Sequence, residues 1–148
     1  MRAAGNGMKT FFAQFVKGMP YSELDIVKTN LPQITIKQYG LDCFIVNEPT
    51  QKDIDAARQG LAEAREAIIS GKYDVIVLDE ACIALYYKLF TVEELIDIIK
   101  LKQESAEIII TGRYAPQELI DIADLVTEMK EIKHYYTSGV QARKGIEF

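Results

Sequence analysis

The sequence predicts one α/β domain built on a mostly parallel sheet with helices on both faces. Three observations carry that prediction. Short apolar or alternating runs recur along the chain, and amphipathic segments of helical period separate them. The length of 148 residues, 49% of them hydrophobic, suits one domain with a sizeable core. Strands that alternate with helices imply parallel crossovers and a layered sheet. Residues 1–148 are therefore read as a single domain with no repeat, low-complexity tract or linker.

Taken in order, Met1–Gly7 reads as the last turn of a helix, a glycine cap and a turn. Thr10–Lys17 is rich in aromatic residues and reads as a strand. Ser22–Asn30 reads as a short helix, ended at Leu31-Pro32 because the residue before proline avoids the helical region. Ile34–Tyr39 alternates with period two, as a half-buried strand does. Thr50 caps the longest helix, on which Ile54, Ala57, Leu61, Ala64 and Ile68 share one face and Gly71 closes the end. Asp74–Leu78 reads as an interior strand, and Ala81–Leu89 as the helical segment that follows it. Thr91 and Glu94 form a capping-box pair for a helix carrying Leu95, Ile98, Ile99 and Leu101 inward. Glu107–Thr111 reads as another buried strand. Pro116 opens a helix with Leu119, Ile120 and Ile122 on its inner face, and Leu125–Ile132 is expected to be a last strand before a polar tail.

Bulk composition excludes several classes. A net charge of −5 argues against a nucleic-acid groove, which needs clustered Lys and Arg. No apolar run approaches the ~20 residues that span a bilayer, and no secretory signal pattern opens the chain. The cysteines, Cys43 and Cys82, fit no zinc or redox spacing, so a reducing cytoplasm is expected.

Chemistry concentrates where strands end. Four apolar residues, Val75-Ile76-Val77-Leu78, run into Asp79-Glu80. An interior parallel strand delivers such acids to the carboxyl edge of the sheet, where α/β proteins bind ligands. They read either as a magnesium site, one acid a ligand and the other its support, or as acids favoured by the dipole of the next helix. Thr111-Gly112-Arg113-Tyr114 leaves a strand at the same edge. Its glycine permits close approach and Arg113 suits a phosphate, although an ordinary turn reads the same way. Gln14, Lys17 and Gly18 end the first strand there too. Between Gly40 and Pro49, Leu41, Phe44, Ile45 and Val46 stand where a loop is normally polar. They either pack back on the core or form an apolar wall for a large flat ligand. The one histidine, His134, has no Cys or second His nearby and reads as structural.

Several of these segments in fixed order resemble the cob(I)alamin (corrinoid) adenosyltransferases of the BtuR/CobO/CobP type. They include Ala3–Lys9, Phe12–Gly18, Val77–Glu80 with Ala84–Tyr87, Ile110–Pro116, Ala123–Met129, Ile132–His134 and Gly139–Glu147. The resemblance covers essentially the whole chain. It implies a RecA-like P-loop fold, usually homodimeric, that binds ATP with Mg²⁺. The activity it implies is transfer of the 5′-deoxyadenosyl group to the cobalt of a reduced corrinoid, cob(I)alamin or cob(I)yrinic acid a,c-diamide. Triphosphate is released, and a reductase is a possible electron source. By the same resemblance Glu80 corresponds to the magnesium-binding acid with Asp79 beside it. Gln14, Lys17, Arg113 and Tyr114 are the expected nucleotide contacts, and Phe44 and Ile45 the corrinoid contacts.

One departure stands out. The family opens with a strand, a Gly-rich loop carrying Lys and Thr, and a helix ending in the Ala-Ala-Gly segment. No Gly-x-x-x-x-Gly-Lys-Ser/Thr occurs in these 148 residues, and Met1 falls near the end of that helix. The expectation is a family sequence read from an internal start, lacking the first strand, the phosphate loop and most of the first helix, and weakly active or inactive. The alternative is a non-catalytic paralogue that binds a corrinoid or assembles with a partner.

Overall fold

The computed structural model describes residues 1–41, 45 and 48–147. A four-stranded, all-parallel sheet forms its centre, in the order β2-β1-β3-β4. Here β1 is Thr10–Phe15, β2 Ile34–Tyr39, β3 Val75–Asp79 and β4 Glu107–Ile110. The flanking helices are α1 (Arg2–Gly5), α2 (Ser22–Asn30), α3 (Gln51–Ile69), α4 (Ala81–Tyr86), α5 (Val92–Ile99) and α6 (Gln117–Ile122). This is the expected α/β architecture with a mostly parallel sheet, consistent with a RecA-like P-loop fold. Among the described residues no helix is long and apolar enough to cross a membrane.

Local signals account for most element ends. Thr91 and Glu94 cap α5 reciprocally: the Thr91 hydroxyl accepts the Glu94 N–H at 3.2 Å and the Glu94 carboxylate accepts the Thr91 N–H at 2.8 Å. At α3 the Thr50 N–H and hydroxyl both reach Asp53 Oδ2, at 2.8 and 2.6 Å, so the cap works through Asp53. The inner face of α3 is the expected one, with Ala57, Leu61, Ala64 and Ile68 buried. They pack on one face of the sheet, where Phe11, Ala13, Phe15, Ile76 and Leu78 are nearly or wholly inaccessible. Each large side chain so buried contributes roughly 1.5–3 kcal/mol.

Several expectations needed correction, most of them for reasons of long-range context. β1 ends at Phe15 rather than Lys17, because Val16 turns into the left-handed region at φ 57°. β2 is an edge strand in which only Tyr39 is buried, so the period-two reading does not hold there. β4 is the opposite edge, not a buried strand: Glu107 is exposed and Ile109 is 48% exposed. In α6 only Leu119 is buried, while Ile122 lies open, and Leu101 is exposed beyond the end of α5. Leu125–Ile132 forms no strand. All of 121–147 is exposed, and the segment has no ladder partner among the described residues, so its apolar content alone does not make it a strand.

Candidate functional site

Parallel register brings the chemistry together. Gln14 of β1 pairs with Gln38 of β2 on one side and with Asp79 of β3 on the other. Ile110 pairs with Leu78, so Thr111, the next residue, comes beside Asp79. Residues in register on neighbouring parallel strands share a face. Gln38, Gln14, Asp79 and Thr111 therefore form a polar row across the sheet at its carboxyl edge.

Asp79 is the hub of that row. Its Oδ2 takes the Lys17 ammonium at 2.8 Å and its Oδ1 accepts the Thr111 hydroxyl at 2.8 Å. Both of its oxygens are thus engaged. The sequence paired Asp79 with Glu80, but Lys17 and Thr111 lie 62 and 32 residues from Asp79, and no local pattern announces either contact. Lys17 also stands 5.9 Å from the centre of the Tyr21 ring.

Glu80 is arranged differently. It occupies the N-cap of α4 with φ 58°, a left-handed conformation that non-glycine residues seldom adopt. Its side chain makes no capping hydrogen bond, and its Oε2 is buried with no partner among the described residues. The Gln14 Oε1, on a side chain only 3% exposed, is in the same condition. Buried acceptors are normally satisfied, and leaving one unmet costs about 1–3 kcal/mol. Two such atoms on adjacent strand ends give this edge open acceptors for a ligand's donors or a cation.

Close backbone approaches hold this edge in shape. The loops after β1 and β2 touch: a Cβ on Gly18 would lie 2.5 Å from the Gly40 carbonyl oxygen, and one on Gly40 would lie 2.4 Å from the Lys17 nitrogen. Only glycine at both positions lets Lys17 sit where it does. Across the site, the Cys82 N–H donates to the Thr111 carbonyl at 3.2 Å, joining α4 to the end of β4. Burial, with Glu80 nearby, pushes the Cys82 thiol up from its ordinary value.

Arg113 and Tyr114 lie on the same rim, both exposed. The Tyr114 ring stacks, tilted, on Tyr86 with centroids 4.6 Å apart, and Tyr86 meets Tyr87 edge-on at 5.4 Å. The Tyr87 hydroxyl in turn donates to the Ile45 carbonyl at 3.0 Å. An aromatic series thus links the Arg113 loop to the Ile45 loop. The tyrosine pair was visible in the sequence, but nothing there joined it to Ile45. Phe44, the other expected corrinoid contact, lies outside the described residues.

A cation at this edge would find few protein ligands, since no group of three or more His, Cys, Asp or Glu converges among the described residues. One open carboxylate suits magnesium, which keeps waters and substrate phosphate oxygens as its other ligands.

The sequence profile of the ATP:corrinoid adenosyltransferases BtuR/CobO/CobP matches residues 1–148. The chain belongs to this family. It is 32% identical to a corrinoid adenosyltransferase of Sinorhizobium sp over 150 residues, covering 99% of this chain and 70% of the relative. It is 30% identical to one from Pseudomonas aeruginosa over 148 residues, covering 99% and 73%. For one from Escherichia coli K12 the identity is 27%, with 99% and 74% covered.

Proposed function

We propose that this domain takes part in ATP-dependent transfer of the 5′-deoxyadenosyl group to the cobalt of a reduced corrinoid, releasing triphosphate. The observation that carries the reading is the buried, unpartnered Oε2 of Glu80 at the carboxyl edge of the sheet. The family membership supports the same chemistry.

In this reading the Co(I) centre attacks C5′ and a Co–C bond forms. The C5′–O bond breaks, its electron pair leaves with the triphosphate, and cobalt becomes formally Co(III). Co(I) is already strongly nucleophilic, so the chain has no general base to supply. Its tasks are orientation of C5′ and stabilisation of the leaving charge. Glu80 would hold Mg²⁺, and the bound ion would neutralise charge on the triphosphate oxygens. Asp79 supports Glu80 from the side and keeps Lys17 aimed across the edge. Lys17 and Arg113 meet phosphate oxygens, Gln14 offers its open carbonyl oxygen to a ligand donor or water, and Tyr114 lies against the nucleotide. Ile45, held by Tyr87, lines the corrinoid side. We further read the domain as one folding unit of a cytoplasmic homodimer, with a reductase supplying electrons.

The 148 residues contain no Gly-rich phosphate loop, and a triphosphate met only by Lys17, Arg113 and the Mg²⁺ that Glu80 would hold lacks a cradle of backbone amides. We therefore expect slow or absent transfer by this chain by itself. The test is anaerobic incubation with cob(I)alamin and Mg-ATP, following adenosylcobalamin by its light-sensitive absorbance. Slow turnover abolished by E80Q fits the reading. Rapid turnover would refute the need for a Gly-rich phosphate loop, and turnover indifferent to E80Q would refute the role of Glu80.

A second reading, an assembling paralogue without catalysis, has one observation in its favour. Leu125, Met129 and Ile132 are 85%, 94% and 90% exposed. Corrinoid binding by calorimetry together with no binding of Mg-ATP would favour it.

A further inference from the structure

We propose that Thr111 is a positioning residue for the acid pair, setting the geometry of Glu80 through one hydroxyl. The inference rests on the reading of Glu80 as the metal-binding acid. Thr111 follows β4 directly and comes beside Asp79 by register. Its Oγ1 donates to Asp79 Oδ1 at 2.8 Å and accepts the Glu80 N–H at 3.1 Å. Its own N–H donates to the Leu78 carbonyl at 3.1 Å, and its carbonyl accepts the Cys82 N–H at 3.2 Å. One residue thus grips the turn from β3 into α4 at Leu78, Asp79, Glu80 and Cys82.

The proton count explains why a hydroxyl is needed there. Asp79 accepts the Lys17 ammonium on Oδ2 and offers only acceptors, so the single Thr111 proton points to Oδ1. A lone pair is then left for the Glu80 N–H, which the sheet ladder no longer uses. Glu80 needs that anchor because its φ of 58° is held only where neighbours over-determine it. The direction of its carboxylate follows from this backbone conformation. Thr111 is also β-branched and stiff at χ1, so the hydroxyl keeps its place without a ligand. No contact of Thr111 with substrate is invoked. Lys17 and Thr111 share the two oxygens of Asp79 and leave Glu80 the free acid.

The test uses the 148-residue chain and the variants T111V, T111S and E80Q, with Mn²⁺ as the probe, in the presence and absence of ATP. Free Mn²⁺ is read by electron paramagnetic resonance and Tm is measured alongside. Valine keeps the shape and removes both hydrogen bonds, while serine keeps both. T111V is expected to weaken Mn²⁺ binding roughly 10–100-fold, the range for partners that orient metal ligands, and T111S to restore most of it. A T111V chain with lowered Tm but unchanged affinity overturns the proposal, because Thr111 would then serve stability alone. E80Q with undiminished affinity, or no saturable binding in any of the proteins, overturns the metal reading and this proposal with it. Should T111V fail to fold, hydrogen exchange in the unaltered chain decides. The Glu80 amide must exchange slowly, and exchange at the rate of an open loop overturns the proposal.

Discussion

Gly60 stands in the middle of α3, where glycine is normally a fault, and its replacement by alanine tests how tightly the site-bearing strands are held. In an open helix interior Gly→Ala gains about 0.8–1 kcal/mol. Here a Cβ would lie 2.6 Å from Tyr39 Cγ, 2.8 Å from Tyr39 Cδ2 and 2.9 Å from Phe15 Cε1. Both rings are buried, at 0% exposure for Phe15 and 5% for Tyr39, and they pack with centroids 5.9 Å apart. Neither has space to move away, so the overpacking penalty belongs in the upper part of the usual range of ~1–3 kcal/mol. The net expectation is a loss of about 1–2 kcal/mol, or roughly 2–8 °C in Tm for a domain of this size. Phe15 and Tyr39 end the two strands whose following loops cross at Gly18 and Gly40, so the strain reaches the seat of Lys17. Gly5 supplies the control: it also lies in a helix, but nothing stands within 4 Å of its missing Cβ. G5A should be neutral or gain a few tenths of a kcal/mol, less than the full propensity because α1 is so short. Urea titrations of both variants and the parent chain, compared by midpoint at equal m, give the result. A G60A chain as stable as G5A would refute the packing argument.

Three further outcomes follow from the same geometry. D79N removes the charge that faces Lys17 across 2.8 Å in a partly buried pair, and should cost about 1–2 kcal/mol, discounted for the remaining exposure; urea unfolding that matches the parent chain would contradict it. Y87F deletes the hydrogen bond to the Ile45 carbonyl, with an expected loss of about 1 kcal/mol and faster limited proteolysis between residues 41 and 50; an unchanged cleavage rate would remove the tether. Glu147 is held down to about 2 from 4.5, first by hydrogen bonds from Arg143 and then by the Tyr135 hydroxyl. Because the folded value is the lower one, this local stabilisation is fully present above pH 4.5 and is lost as pH falls through about 2. NMR shifts of the Tyr135 ring should report that opening, and E147Q should abolish the titration.

Much of the fold was legible because its signals are local. The starts of α3 and α5 are written in Thr50–Asp53 and Thr91–Glu94, three residues apart, and the α3 core face is written in its helical spacing. Tertiary pairing governed what was misread. Glu107–Ile110 has the composition of an interior strand but occupies an edge, and Leu125–Ile132 has strand composition but no partner. β propensity describes fit to a pleated, half-buried surface, and the sequence does not say whether that surface exists.

The candidate site divides in the same way. Sequence alone identified Asp79-Glu80 at the end of an interior strand, brought Gln14, Lys17, Arg113 and Tyr114 to the same edge, and led to the family through motifs in fixed order. Tertiary structure decided how those groups divide the work. Parallel register brought Lys17 and Thr111 to the two oxygens of Asp79, and the left-handed turn at Glu80 left its carboxylate oxygen buried and open. The physical reason is that a hydrogen bond spanning 62 residues depends on which strands become neighbours, and that is settled by the packing of the whole sheet.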